Sequence, residues 1–177
     1  MKFKKIIILS VIILPLLAVA IIYGWGEMNM RPERALSDFS RQIERGNLSN
    51  INLRLYYSSI AFTPFPLSSD DLVDGWADYN IVIGGNKLEE HVELLNQIRD
   101  VVLIPVEGEV HLNARLYYIF ETKDGHKIFD VAWGLGQTIF INGREFKGDD
   151  VFFDIAMLFL PEDEVKSLEH LRPSTLE

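Results

Sequence analysis

A run of 21 residues, Ile6 to Gly26, carries no charged side chain and follows three lysines, Lys2, Lys4 and Lys5. A helix of that length is about 30 Å long, which matches the hydrocarbon thickness of a bilayer. Only Ser10 and Pro15 interrupt the aliphatic side chains before Tyr23 and Trp25. Those two amphipathic rings suit the headgroup region at the outer end of a span, and the lysines favour a cytoplasmic N-terminus. The run therefore predicts a single membrane anchor, with everything after Gly26 on the far side. A cleaved signal peptide is the alternative, because Ala18-Val19-Ala20 fits a small-x-small cleavage pattern. Cleavage there leaves Ile21, Ile22 and Tyr23 as an apolar new terminus, which favours the anchor. Both readings export the rest of the chain.

The exported part, about 150 residues, is long enough for one domain with its own core. The whole chain carries a net charge of −9, which becomes −12 once the three N-terminal lysines are set aside. Such a surface repels nucleic acid and anionic lipid, so nucleic acid is excluded as a partner. The chain has no cysteine. A lipid-modified cysteine and a disulfide framework are thereby excluded, and packing alone must supply stability.

Patterning organises the domain. Arg31 to Glu44 reads as a helix, with Pro32 in its first turn, a Leu36, Phe39, Ile43 stripe and Gly46 after its end. Its polar face is mixed in charge, which favours packing on the domain over lying in the membrane surface. Ile51 to Tyr57 alternates as a strand with one buried face. Thr63-Pro64-Phe65-Pro66 breaks regular structure, Ser68 to Gly75 reads as a loop or short helical turn, and Tyr79 to Ile83 as a short strand. Asn86 to Ile98 is expected to be one helix, capped by Asn86 with Glu89 three residues on and buried through Leu88, Val92, Leu95 and Ile98.

A meander follows: strands at His111 to Glu121, Lys127 to Trp133, Thr138 to Ile141 and Arg144 to Phe146, with turns at Lys123-Asp124-Gly125, Gly134-Leu135-Gly136 and Asn142-Gly143. Apolar residues fill both alternation sets of the first two strands, so the sheet centre is expected to be covered on both faces or to expose an aromatic surface. Asp149 or Asp150 caps a buried helix over Val151 to Leu160, and Pro161 opens a last short helix.

The fold class is α+β: an N-terminal transmembrane helix, then one domain with an antiparallel meander packed by helices. The expected division is residues 1–5 in the cytoplasm, 6–26 in the membrane, 27–50 as a juxtamembrane helix and 51–177 as the extracytoplasmic domain. Strand, short strand, the helix with Asn86, Leu88, Val92, Leu95, Asn96 and Ile98, and the meander ending Ile139-Phe140-Ile141-Asn142-Gly143 run in a set order. Over about residues 50 to 160 that order resembles small membrane-anchored or lipoprotein domains of unknown function from Gram-positive bacteria. The resemblance implies topology and location and carries no functional residue.

No catalytic set stands out. There is no G-x-S-x-G elbow and no H-E-x-x-H, and His91, His111, His126 and His170 are scattered, so no metal and no cofactor are expected. Gly84-Gly85-Asn86-Lys87 lacks the spacing of a phosphate loop and reads as a tight turn with a helix start. Asp70, Asp71 and Asp74, and Asp149, Asp150 and Asp154, offer calcium-type oxygens, but helix capping and solvation account for them. A glycosidase needs two carboxylates at a set separation, and many acids here qualify with nothing to select a pair.

One repeat remains. Asn52-Leu53-Arg54-Leu55-Tyr56-Tyr57 returns as Asn113-Ala114-Arg115-Leu116-Tyr117-Tyr118. If the two strands are neighbours, Arg54, Tyr56, Arg115 and Tyr117 are expected to line one patch able to hold an acidic peptide or anion. Two ordinary amphipathic strands that solve the same burial problem alike are the simpler explanation of the repeat. The functional expectation is a non-enzymatic binding module at the cell envelope, with the bilayer as partner through residues 6–26 and an envelope protein or peptide as ligand. The alternatives are an envelope hydrolase using paired carboxylates and a structural subunit docking through Val151 to Leu160.

Overall fold

The computed structural model describes residues 31–59, 63–107, 112–134, 138–169 and 172. Helix α1, Pro32–Glu44, starts on a proline and ends at Gly46, whose φ is +67°. The amide of Gly46 donates to the Ile43 carbonyl and that of Asn47 to the Gln42 carbonyl, both at 2.9 Å. This paired Schellman closure needs the left-handed conformation that glycine adopts at least cost. A short 3₁₀ turn, Leu48–Asn50, leads into β1, Ile51–Tyr57, where buried and half-buried residues alternate without a break.

Six antiparallel strands form one sheet in the order β2-β1-β3-β4-β5-β6. The others are β2 (Tyr79–Gly84), β3 (Ala114–Thr122), β4 (Lys127–Gly134), β5 (Thr138–Ile141) and β6 (Arg144–Lys147). Residues beside Pro105 pair with the β6 edge: the Lys147 amide donates to Ile104 at 2.9 Å. The fold is thus α+β with an antiparallel sheet, as the patterning predicts. Residues 6–26 lie outside the described residues, and among those described no helix is long and apolar enough to cross a membrane.

One face of the sheet carries the main core. Phe39 of α1 sits 4.5 Å from Phe120 and 5.3 Å from Phe129, ring centroid to centroid, and the latter two stack at 4.9 Å. All three rings are fully buried. The amphipathic stripe of α1 is therefore spent on this core, the packing its mixed polar face predicts.

The second helical region differs from expectation. It begins at Gly85 as α3, Gly85–Glu89, breaks at His91, resumes as α4, Val92–Asn96, and tightens to a 3₁₀ turn, Gln97–Asp100. Asn86 caps nothing; Gly84 precedes the helix and no side chain caps it. A Cβ on Gly85 would lie 2.0 Å from the Leu48 carbonyl oxygen, so the helix start is pressed onto the turn before β1. His91, at the break, meets Phe159 edge-on at 5.6 Å. Leu88, Leu95 and Ile98 are still buried as the stripe predicts.

Helix α5, Asp150–Met157, is capped by Asp149, whose carboxylate accepts from the Val151 amide at 2.9 Å. The buried Tyr118 hydroxyl donates to the Phe152 carbonyl at 3.0 Å and ties α5 to β3. Phe152, Phe153, Ile155, Ala156, Phe159 and Leu160 are all buried in the same domain. Of the segment Val151 to Leu160, Leu158 is exposed and Val151, Asp154 and Met157 are half-buried, so most of its apolar side chains are spent inside the domain. Helix α6, Glu162–Leu168, follows Pro161 and seats Leu168 in the core.

Phe120→Ala removes the ring shared by three aromatic contacts, with Phe39, Tyr118 and Phe129, in a closed core and should cost about 3–5 kcal/mol of stability. Urea unfolding of the full chain in detergent, followed by near-ultraviolet circular dichroism, measures it. An exposed phenylalanine such as Phe65 should cost less than about 1 kcal/mol on the same change.

Candidate functional site

The other face of the sheet is where polar and aromatic chemistry collects. β1 and β3 are neighbours and antiparallel, with Tyr56 opposite Tyr117 and Arg54 opposite Ile119. The Tyr56 and Tyr117 rings stack at 6.2 Å with 25° between their planes. The repeat therefore brings its two tyrosines together. It does not bring its arginines together: Arg115 lies four residues beyond Ile119 along β3, about 13 Å away along the strand. Arg-x-Tyr has a direction, and antiparallel pairing sends the two arginines to opposite ends of the tyrosine pair.

Their environments differ as well. Arg54 is half-exposed and donates to the Glu121 carboxylate at 2.7 Å. Arg115 is only 2% exposed. Its guanidinium donates to the Ala114 carbonyl at 3.3 Å and to the Thr63 hydroxyl at 3.0 Å, and its Nε has no hydrogen-bond partner among the described residues. Burial lowers the pKa of this side chain. The expected patch of two open arginines around two tyrosines is thus corrected: one arginine is engaged by a carboxylate and the other is enclosed.

Beside the tyrosine stack, Asp130 on β4 is buried and accepts from both the Tyr117 hydroxyl, at 3.3 Å, and the Lys127 ammonium. Burial first, then the Asp130 charge, raises the Tyr117 pKa, so the phenol keeps its proton well above its ordinary range. Glu121 and Asp130, buried on this face, are each held by a basic side chain, whereas Glu145 of β6 has a buried Oε1 without a hydrogen-bond partner among the described residues. A neutralised carboxylate held by a cation is a poor match to a proton-donating acid.

Part of this face is roofed by residues 63–77, the stretch that carries Thr63-Pro64-Phe65-Pro66. Asn113 holds its start: the Leu67 amide donates to the Asn113 side chain at 3.1 Å, and the Ala114 amide to the Leu67 carbonyl at 2.7 Å. One turn of helix, α2, Ser69–Asp71, is closed by a capping box in which Ser68 and Asp71 satisfy each other's amides. A π-type turn over Leu72–Trp76 then bends at Gly75. Leu67 and Leu72 point down onto Ala114, Tyr117 and Ala132, forming a second, smaller core. The sheet centre is covered on both faces, as its double apolar pattern predicts.

The roof's outer side is apolar. Phe65, Val73 and Trp76 are 43%, 44% and 47% exposed, and the two rings meet edge-to-face at 5.0 Å. The patterning does not single out this pair: it reads Thr63 to Pro66 as a break and Ser68 to Gly75 as a loop or short helical turn. The available signal was two large aromatics within a segment too short and proline-rich to bury them.

On the helix side, a hollow of about 300 Å³ lies between α1 and residues 98–103, floored by Leu36, Ile98, Val101 and Leu103. Its acids, Glu33 and Glu44, stand eleven residues apart on α1. That is about 16 Å along the helix axis, beyond the spacing glycosidic cleavage uses. Asp71 and Asp149 serve as helix-capping groups, as predicted. Comparison with protein-family models, curated proteins and solved structures finds no match to this chain.

Arg54→Ala leaves Glu121 shielded without its cation and should destabilise by about 1–3 kcal/mol. Arg115→Met, which replaces an enclosed charge without a carboxylate partner among the described residues by an apolar side chain of similar length, should leave stability within about 1 kcal/mol of the parent or raise it. Urea midpoints of the two variants, compared with the parent, check this opposite ordering.

Proposed function

We propose that the chain is a single-pass membrane protein whose α+β domain stands outside the cytoplasm at the cell envelope and binds a protein or peptide partner without catalysis. Residues 1–5 stay in the cytoplasm and residues 6–26 cross the bilayer. Three lysines followed by 21 uncharged residues support this placement. The observation that carries the binding role is the ring pair Phe65 and Trp76, mounted on a roof tied down at Leu67 by the Ala114 amide and the Asn113 side chain. Large aromatics anchor interfaces because they bury much area with few rotatable bonds to fix. The hydrolase alternative is less well supported: Glu121 and Asp130 are each ion-paired and the acids of the hollow are far apart.

The absence of native cysteine makes a clean test. Val73→Cys places one thiol beside the ring pair, and Glu90→Cys places one in the helix layer. Both should react with a membrane-impermeant maleimide in intact cells, whereas Lys2→Cys should react only after lysis. Loaded with a benzophenone maleimide, Val73→Cys should give a discrete photo-adduct that Glu90→Cys does not. Labelling of Val73→Cys only after lysis contradicts export; labelling without an adduct contradicts binding at this face.

A further inference from the structure

The exposed rings sit in an unusual electrostatic setting. From Leu55 to Asn86 the chain holds four aspartates, Asp70, Asp71, Asp74 and Asp78, and no lysine, arginine or histidine. Two of these acids have local work: Asp71 closes the capping box, and Asp78 accepts from the Ser59 amide at 2.7 Å. Asp70 and Asp74 are exposed and flank Val73 within the same turns that carry Trp76. An aromatic surface with exposed carboxylates beside it attracts cations twice over, through the ring face and through the field of the acids, and the basic group described against this stretch, Arg115, is enclosed rather than presented at the surface. It repels anionic lipid and anionic polymers for the same reason.

We infer that the Phe65–Trp76 surface docks a cationic segment of a partner polypeptide, in which a lysine or arginine lies over the Trp76 ring beside Asp70 and Asp74, and a neighbouring apolar side chain packs on Phe65 and Val73. This rests on the binding reading above and specifies the partner's chemistry. Tryptophan is the best aromatic acceptor for a cation, and opposite charge on the two partners sets both the encounter rate and the rejection of acidic competitors. The rings supply the contact area and the carboxylates choose the sign of what sits on them.

The test uses the full chain in uncharged phosphatidylcholine nanodiscs and two fluorescent decapeptides, one alternating leucine with lysine, the other leucine with glutamate. Anisotropy should show binding of the lysine peptide only. Trp76→Ala should weaken it by at least about tenfold. The paired change Asp70→Asn with Asp74→Asn, which alters charge and not shape, should weaken it by about fivefold, and raising salt from about 0.1 M to about 0.5 M should do the same. Equal affinity for the two peptides, or no effect of the Asp70→Asn, Asp74→Asn pair, overturns the cationic partner. If the Val73→Cys adduct still forms in cells under that outcome, the binding reading stands without it. Binding of an N-acetylglucosamine oligomer with neither peptide bound also overturns the proposal, in favour of a glycan.

Discussion

Phe39 reaching across from α1 to Phe120 and Phe129 fixes how this domain is assembled. The three rings come from a helix before the first strand and from two central strands far along the chain, so their contact closes a long loop of the fold. Each buried ring contributes about 1.5–3 kcal/mol of transfer free energy, and their tilted and stacked geometry adds to it. Without cysteines no covalent tie shares this task. The Schellman turn at Gly46 and the pressed contact of Gly85 on Leu48 then follow: they set the exit of α1 and the entry of α3 around the same core.

Because the helices crowd one face, the other face is left with a lighter cover. Its polar residues are settled by pairs, Arg54 with Glu121 and Asp130 with Lys127 and Tyr117, rather than by a deep core. The roof over it buries Leu67 and Leu72 and spends its remaining large side chains outward. One construction thus explains both where the domain is held together and where apolar surface is left for a partner.

Local patterns were legible wherever local rules decide. The alternation from Ile51 to Tyr57, the proline and glycine that bracket α1, the turn at Asn142-Gly143 and the Asp149 cap all appear where the residues place them. The break at His91 was not legible, because a continuous apolar stripe runs through it and the interruption coincides with the contact of His91 with Phe159, remote in sequence. The repeated Arg-x-Tyr was visible, and its neighbouring strands were foreseen as a condition. The antiparallel sense that separates the arginines belongs to the sheet order, which no single strand encodes. The ring pair of the roof escaped notice because a proline-rich stretch has no periodicity to read.

Stability is concentrated on the helix-packed face, and residues 63–77, with their smaller core, are expected to open separately as the roof that presents the rings. Hydrogen exchange of the intact protein in nanodiscs tests this most directly, since local opening and global unfolding separate by protection. Amides of β1, β3 and β4 should exchange slowest and together, with those of residues 67–76 opening sooner and with weaker dependence on denaturant. Equal protection of the roof and the central strands would contradict the claim.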